Sequence, residues 1–73
     1  MFENGTEVWW LSKKDCLGTI MHGKVEIFLR EYGWYGVSTF DGRHRIKAPG
    51  ELFMTRDELL DSIPSGIEVV DDE

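Results

Sequence analysis

The chain has very little of the chemistry from which catalytic and metal sites are usually made. Its 73 residues include one cysteine, Cys16, and two histidines, His22 and His44. A single cysteine excludes an intramolecular disulfide and favours a reducing compartment. Zinc needs three or four ligands, usually with one close-spaced pair, and these three residues do not supply such a set. We therefore expect no metal and no cofactor.

Positive charge and long apolar runs are also scarce. Eight basic residues against 14 acidic ones give a formal net charge of −6. This balance disfavours a general nucleic-acid binder, because phosphates require clustered positive charge. No apolar run approaches the roughly 20 residues of a membrane-spanning helix. Residues 1–5 lack the basic and apolar regions of a signal peptide, so we expect a cytoplasmic protein without membrane contact.

The length and composition predict one small folded domain. A hydrophobic fraction of 41% and three tryptophans are typical of a folded chain. We expect a single domain over residues 1–73, with a barrel at about 5–54, a helix at about 55–63 and an acidic tail at about 64–73. A core of this size rarely supplies more than about 3–5 kcal/mol. A homodimer, which would add stability, therefore stays open as an alternative.

Short runs of β-branched and aromatic residues, separated by turn residues, predict the strands. These runs are residues 6–11, 19–29, 34–40, 43–48 and 52–54, with residues 12–15 as a loop. Gly23 is expected to mark a bulge or bend in the second strand. Asp41-Gly42 predicts a two-residue type I′ hairpin turn. The last apolar residues would form an edge strand or lie loose; they are Ile67, Val69 and Val70.

After residue 54 the pattern becomes helical. Thr55 is the expected N-cap, with the Glu58 carboxylate reaching back to its amide. Pro64 ends the helix at the residue before it. One apolar face, which would cover an open end of the barrel, consists of Leu59, Leu60 and Ile63. Five strands and this helix predict an all-β fold, a small five-stranded SH3-like barrel with one short C-terminal helix.

Three stretches resemble known small barrels. Gly5-Thr6-Glu7-Val8-Trp9 is similar to the Gly-x-x-Val-aromatic first strand of SH3-like barrels. Residues 18–27, which end in Gly-Lys-Val-Glu-Ile, resemble the second strand of the KOW and Tudor-like groups. Residues 53–59 are similar to the closing helix of small uncharacterised barrel proteins of bacteria and their phages. The resemblance implies a barrel that binds protein or nucleic acid, and it implies no substrate.

Paired aromatic residues predict an exposed aromatic surface. Neighbouring residues in a strand face opposite sides, so Trp9 and Trp10 cannot both enter the core, and neither can Trp34 and Tyr35. The residues expected to face inward are Val8, Trp10, Val25 and Ile27. Trp9 and Phe28 then face outward, where large aromatic side chains tend to mark contact surfaces.

The first hypothesis is a non-enzymatic protein-interaction module, of the kind that phages and mobile elements use to modulate a host protein. Its surface would combine exposed aromatics with an acidic helix and tail. The predicted partner-binding residues are Trp9, Phe28, Trp34, Tyr35, Asp57 and Asp61. A cage of such rings around a methylated lysine or arginine is a narrower alternative.

Two other hypotheses stay open. Arg43, Arg45 and Lys47 alternate onto one face and predict a nucleic-acid-binding stripe beside the aromatics. The simpler interpretation of the same charges is an edge strand protected against sheet-to-sheet pairing. A small enzyme built on Cys16 and a histidine ranks last, because the chain lacks the flanking motifs of such sites.

Overall fold

The structure, a computed structural model, describes residues 2–71. The chain is mostly β with one short α-helix, as the sequence predicts. The strands are β1 (Glu7–Lys14), β2 (Leu17–Leu29), β3 (Trp34–Thr39), β4 (His44–Lys47) and β5 (Glu68–Asp71). A 3₁₀ turn (Pro49–Glu51) and helix α1 (Arg56–Ser62) lie between β4 and β5. None of the helices in residues 2–71 has the length and apolar character needed to cross a membrane.

Strands β1 to β4 form an antiparallel meander in chain order. β2 is 13 residues long, so one of its edges accommodates two neighbours. β5 pairs in parallel with residues 17–20, and β3 pairs with residues 23–29. On the other edge of β1, Trp9 and Phe53 exchange two backbone hydrogen bonds of 2.8 and 2.9 Å. The predicted strand at 52–54 thus contributes one bridge, and the sheet is not closed into a barrel.

The main core lies on one side of the sheet, which we call the inner face. Its buried members are Val8, Trp10, Met21, Val25, Tyr35, Val37 and Leu52. Burying a large apolar side chain contributes roughly 1.5–3 kcal/mol, so this cluster supplies most of the stabilisation. Phe2 and Phe28 pack against its border.

A second apolar layer covers part of the opposite, outer face. Helix α1 packs against β1 and buries Leu59, while Ile20 is buried on the same side of β2. The helix begins as predicted, since the Thr55 hydroxyl accepts from the Glu58 amide at 3.1 Å. The Glu58 carboxylate lies 3.4 Å from the Thr55 hydroxyl, whereas the sequence predicts a bond to the amide.

The bulge in β2 is displaced from its predicted place. The register shifts between Val25 and Ile27, not at Gly23. The extra residue reverses the alternation, because each residue after it points to the other face. Ile27 is therefore 53% exposed, and its predicted place in the core is wrong. Phe28 turns inward instead and its ring lies 4.9 Å from that of Tyr35.

Two turns also differ from their predictions. Strand β1 continues to Lys14, so most of the predicted loop at 12–15 is strand. In the β3–β4 hairpin, Gly42 has a φ of 93°, whereas Asp41 has none of the positive φ that a type I′ turn requires. Gly42 N–H donates to the Thr39 carbonyl at 3.1 Å, and Thr39 N–H donates to the Arg43 carbonyl at 2.8 Å. The connection is a three-residue loop in which a type I turn precedes the glycine.

The segment expected to be an acidic tail is partly strand. Glu68–Asp71 forms β5, which settles the open question about the last apolar residues in favour of an edge strand. Leu11 and Ile67 lie within 3.2 Å of the position that a side chain at Gly18 would take. This segment therefore helps to cover the outer face. Asp72 and Glu73 of the predicted tail lie outside the described residues.

Candidate functional site

A cleft of about 650 Å³ opens on the outer face, and we call it the outer groove. It lies between β5 and β3, the two strands that pair with successive parts of the same edge of β2. β5 ends at Asp71 opposite Ile20, and β3 ends at Thr39 opposite Gly23. The residues that line the groove are Trp9, Ile20, His22, Thr39, Phe40, Asp41, Arg56 and Asp71.

The floor and one side of the groove are aromatic. Trp9 lies directly opposite His22 in the β1–β2 ladder, and their rings stack with centroids 4.0 Å apart and planes 9° apart. Phe40 presents its ring to His22 at 4.7 Å and 78°. Trp9 and His22 are half-buried, whereas Phe40 is 63% exposed. Phe40 is thus the outermost of three rings in contact, and much of its surface is open to a partner.

The orientation of His22 is fixed by a carboxylate. Its Nε2 atom lies 3.0 Å from Glu7 Oε1. An ionised carboxylate can only accept, so this nitrogen carries a hydrogen and donates it. The bond and the stack on Trp9 hold the imidazole flat on the groove floor.

The wall formed by the β3–β4 hairpin carries an ion pair between Asp41 and Arg43. The Thr39 hydroxyl donates to the Asp41 carboxylate, and Arg43 Nε donates to both of its oxygens at 3.0 and 3.2 Å. The Thr39 hydrogen bond, followed by that from Arg43, lowers the pKa of Asp41 from its ordinary 3.8 to about 2. Asp41 is therefore ionised at neutral pH while it remains exposed to solvent.

The opposite wall is an ion pair between helix and strand. Arg56, the first residue of α1, donates from Nε and Nη2 to the Asp71 carboxylate over 2.9 to 3.2 Å. Asp71 is the last residue of β5, so the pair fastens the start of α1 to the end of that strand. Both side chains are about half exposed, and such pairs contribute only about 0–1 kcal/mol. Their greater effect is to fix the charges at the groove rim.

Two of the predicted binding aromatics are not on the surface. Tyr35 is only 2% exposed and belongs to the inner core, and its hydroxyl accepts from the Phe2 amide at 3.1 Å. Phe28 is half-buried against the same core. Both predictions are corrected, each for its own reason. Tyr35 faces inward because it alternates with the buried Val37 in β3, which leaves Trp34 as the exposed member of that pair. Phe28 turns inward because the bulge after Val25 exchanges the faces of the following residues of β2.

Trp9 lies in the outer groove, whereas Trp34, Asp57 and Asp61 are exposed elsewhere on the surface. Trp34 is 44% exposed and lies opposite Leu29 on the outer face. Ile27 and Ile46 flank Gly36 on the same face. These four apolar side chains form a second patch that shares no residue with the groove; they are Ile27, Leu29, Trp34 and Ile46. Asp57 and Asp61 lie exposed on α1 and do not line the groove.

The predicted basic stripe lies on one face of β4, which is an edge strand of the sheet. Arg45 and Lys47 lie opposite Val37 and Tyr35 in the ladder. Arg43 is bound to Asp41, and Arg45 Nη1 donates to the carbonyl of His44 at 2.8 Å. A side chain that caps the backbone of its own edge strand hinders pairing with another strand. This geometry favours the protective role over a phosphate-binding stripe.

For the last-ranked hypothesis, an enzyme built on Cys16 and a histidine, the pair with His22 has no geometric support. Cys16 is exposed in the turn between β1 and β2, and His22 lies six residues further on. At about 3.3 Å per residue, a strand separates them by roughly 20 Å. Within residues 2–71 there is no group of three or more histidine, cysteine or acidic side chains arranged to hold a metal ion.

Sequence reasoning missed most of the groove. It identified Trp9 from strand alternation, but not Phe40, His22, Arg56 or Asp71. Phe40 precedes the Asp41-Gly42 turn, and a large aromatic beside a hairpin turn is the one local indication of an exposed ring. The other residues meet through the pairing of β5 with β2, which no local pattern encodes.

Comparisons of the chain with protein-family models, with curated proteins and with solved structures find no match. The resemblance to SH3-like barrels therefore stays a prediction, and the function is argued from the groove itself.

Proposed function

We propose that this chain is a non-enzymatic protein-interaction module whose partner binds in the outer groove. The observation that carries the proposal is the exposed ring of Phe40 beside the half-buried Trp9–His22 stack. Protein interfaces commonly place aromatic residues at the centre and polar or charged residues at the rim. Here the rim consists of the Asp41–Arg43 and Arg56–Asp71 pairs.

The size and chemistry of the groove support binding over catalysis. A volume of about 650 Å³ lies within the range that accommodates ligands or side chains of a partner. Among the lining residues, Thr39 supplies the one hydroxyl or thiol, and this hydroxyl donates to Asp41. His22 is bound to Glu7 and stacked on Trp9, so it is held as part of the floor.

The proposal extends to the fold. After the 3₁₀ turn the chain returns to the open edge of β1, where Phe53 pairs with Trp9. We propose a small SH3-like barrel that is left open, with this single bridge at the place where its sheet would close. The resemblance to barrel proteins of bacteria and their phages adds the proposal that the partner is a cytoplasmic host protein.

Affinity capture from a lysate of the source cells tests the proposal with a matched pair of substitutions. Phe40→Ala removes the exposed groove ring, and Met54→Ala removes an exposed apolar side chain outside the groove. Loss of a central aromatic anchor weakens binding by at least about 2 kcal/mol, or roughly 30-fold. We expect nuclease-treated lysate to yield a partner with the unsubstituted chain and with Met54→Ala, but not with Phe40→Ala.

Two outcomes would contradict this function. Equal capture by both substituted chains would place binding outside the groove. Recovery of nucleic acid that is released by salt and lost in Arg45→Glu would favour the basic strand instead.

A further inference from the structure

The outer groove has an electrostatic character that points to one kind of side chain. Resting on the function proposed above, we propose that the groove receives an arginine side chain of the partner. Three observations carry this inference: aromatic rings within the groove, a carboxylate on each of its two walls, and a net charge of −6 over the chain.

The rings provide the first attraction. The face of an aromatic ring is negative, and a cation within about 6 Å of its centroid is held electrostatically. One face of Trp9 is covered by His22, so the exposed ring of Phe40 offers the larger open surface. A guanidinium group is planar and weakly hydrated, and it stacks on such rings more readily than an ammonium group does.

The carboxylates provide the second attraction. Asp41 projects from the hairpin wall and Asp71 from the helix–strand wall, and both side chains are at least half exposed. Each carboxylate already accepts from one arginine of the chain, Asp41 from Arg43 and Asp71 from Arg56. A carboxylate offers about four acceptor positions, so each can accept from a further guanidinium group. Asp41 keeps its charge under all physiological conditions, because its pKa is about 2.

The same arrangement disfavours a negatively charged group in the groove. A carboxylate or phosphate in the groove would meet Asp41 and Asp71 together, and the neighbouring arginines, Arg43 and Arg56, already donate to these two carboxylates. A guanidinium group can stack its face on Phe40 and also donate to Asp41, because its N–H donors lie in the plane of the group and point away from the stacked face. This combination selects arginine over lysine and over an uncharged side chain.

A pair of capped tripeptides tests the inference directly. The probes are acetyl-Gly-Arg-Gly-amide and the same peptide with citrulline, which has nearly the shape of arginine without its charge. Each is titrated into ¹⁵N-labelled protein while the indole N–H resonance of Trp9 is followed. We expect the arginine peptide to bind about tenfold more tightly than the citrulline peptide, because charge-assisted hydrogen bonds are the stronger ones.

Two substitutions that remove the same charge provide the control. Asp41→Asn should reduce binding of the arginine peptide to the level of the citrulline peptide. Asp61→Asn, on the exposed surface of α1, should leave binding unchanged. An unaltered amide spectrum of each variant shows that the fold is kept.

Equal affinities for the two peptides would overturn the inference. So would the lack of any Trp9 shift with arginine peptide at about 10 mM, a concentration that detects millimolar affinities. If either result is found while Phe40→Ala still abolishes capture of the partner from lysate, the groove binds a partner through an uncharged group. Capture that is indifferent to Phe40→Ala would instead contradict the proposed function.

Discussion

Gly23→Ala is the substitution that most sharply tests how β2 and β3 come together. Gly23 lies at the start of their pairing, opposite Thr39. A Cβ atom there would lie 1.9 Å from the carbonyl oxygen of Ser38 and 2.7 Å from its carbonyl carbon. It would also lie 3.0 Å from the Trp10 ring. Backbone atoms of a paired strand cannot rotate aside, so the two strands must separate.

The size of the effect follows from what has to move. Overpacking a core costs typically about 1–3 kcal/mol, and more where backbone has to shift. We therefore expect Gly23→Ala to lower the free energy of unfolding by at least about 3 kcal/mol. A core of this size supplies only about 3–5 kcal/mol, so much of the protein would be unfolded.

Urea unfolding followed by tryptophan fluorescence measures the effect, with two other glycines as controls. A Cβ at Gly36 would lie 2.9 Å from the Cγ2 methyl of Ile27, whose exposed side chain can move toward solvent by a change of χ1. Gly36→Ala should therefore change the free energy of unfolding by less than about 1 kcal/mol. Gly50 has no neighbour within 4 Å of a Cβ, and Gly50→Ala should be neutral or stabilising by about 0.4–1 kcal/mol.

Equal stability of the Gly23→Ala and Gly36→Ala proteins would contradict the close approach of β3 to β2 at Gly23. The register that places Thr39 opposite it would then be wrong.

Three further predictions concern the bulge, the helix cap and Asp41. Val25→Ala should cost about 2 kcal/mol in urea unfolding and Ile27→Ala less than about 0.5, because Val25 is buried and the bulge after it turns Ile27 outward. The reverse order would contradict the bulge. Thr55→Ala should cost about 1 kcal/mol by losing the N-cap, and Thr55→Ser should restore it; an unchanged midpoint in Thr55→Ala would exclude a stabilising cap. Thr39→Val should raise the pKa of Asp41 from about 2 toward 3.8 in a carboxyl NMR titration, and an unchanged pKa would exclude the hydroxyl as its main cause. Because the pKa is lowered in the folded state, its stabilising effect is present above pH 3.8 and is lost as the pH falls toward 2.

The sequence predicts those parts of the fold that depend on local patterns. Runs of β-formers mark four strands, and Thr55 before an acidic first turn marks the start of α1. The position of the bulge is not predictable from a local pattern, because Glu26, the inserted residue, does not differ from any other polar strand residue. One inserted residue exchanges the faces of all that follow, so alternation alone places Ile27 inside and Phe28 outside.

The groove is predictable only in part, for a related reason. Strand alternation brings Trp9 to the outer face, which is a local property. The walls depend on long-range pairing, since Asp71 reaches the groove only because β5 runs parallel to the first part of β2. Phe40 and Asp41 reach it because Gly23 allows β3 to approach the same edge.

The central claim is that a protein partner occupies the outer groove, and the three tryptophans report on it separately. Trp9 lies in the groove, Trp10 is buried in the inner core, and Trp34 is exposed on the second apolar patch. The measurement is a ¹H–¹⁵N spectrum of their indole N–H groups with and without the partner that survives nuclease treatment. We expect the Trp9 resonance to move while those of Trp10 and Trp34 keep their positions. A shift of Trp34 with Trp9 unchanged would contradict it and assign binding to the patch around Ile27 and Ile46.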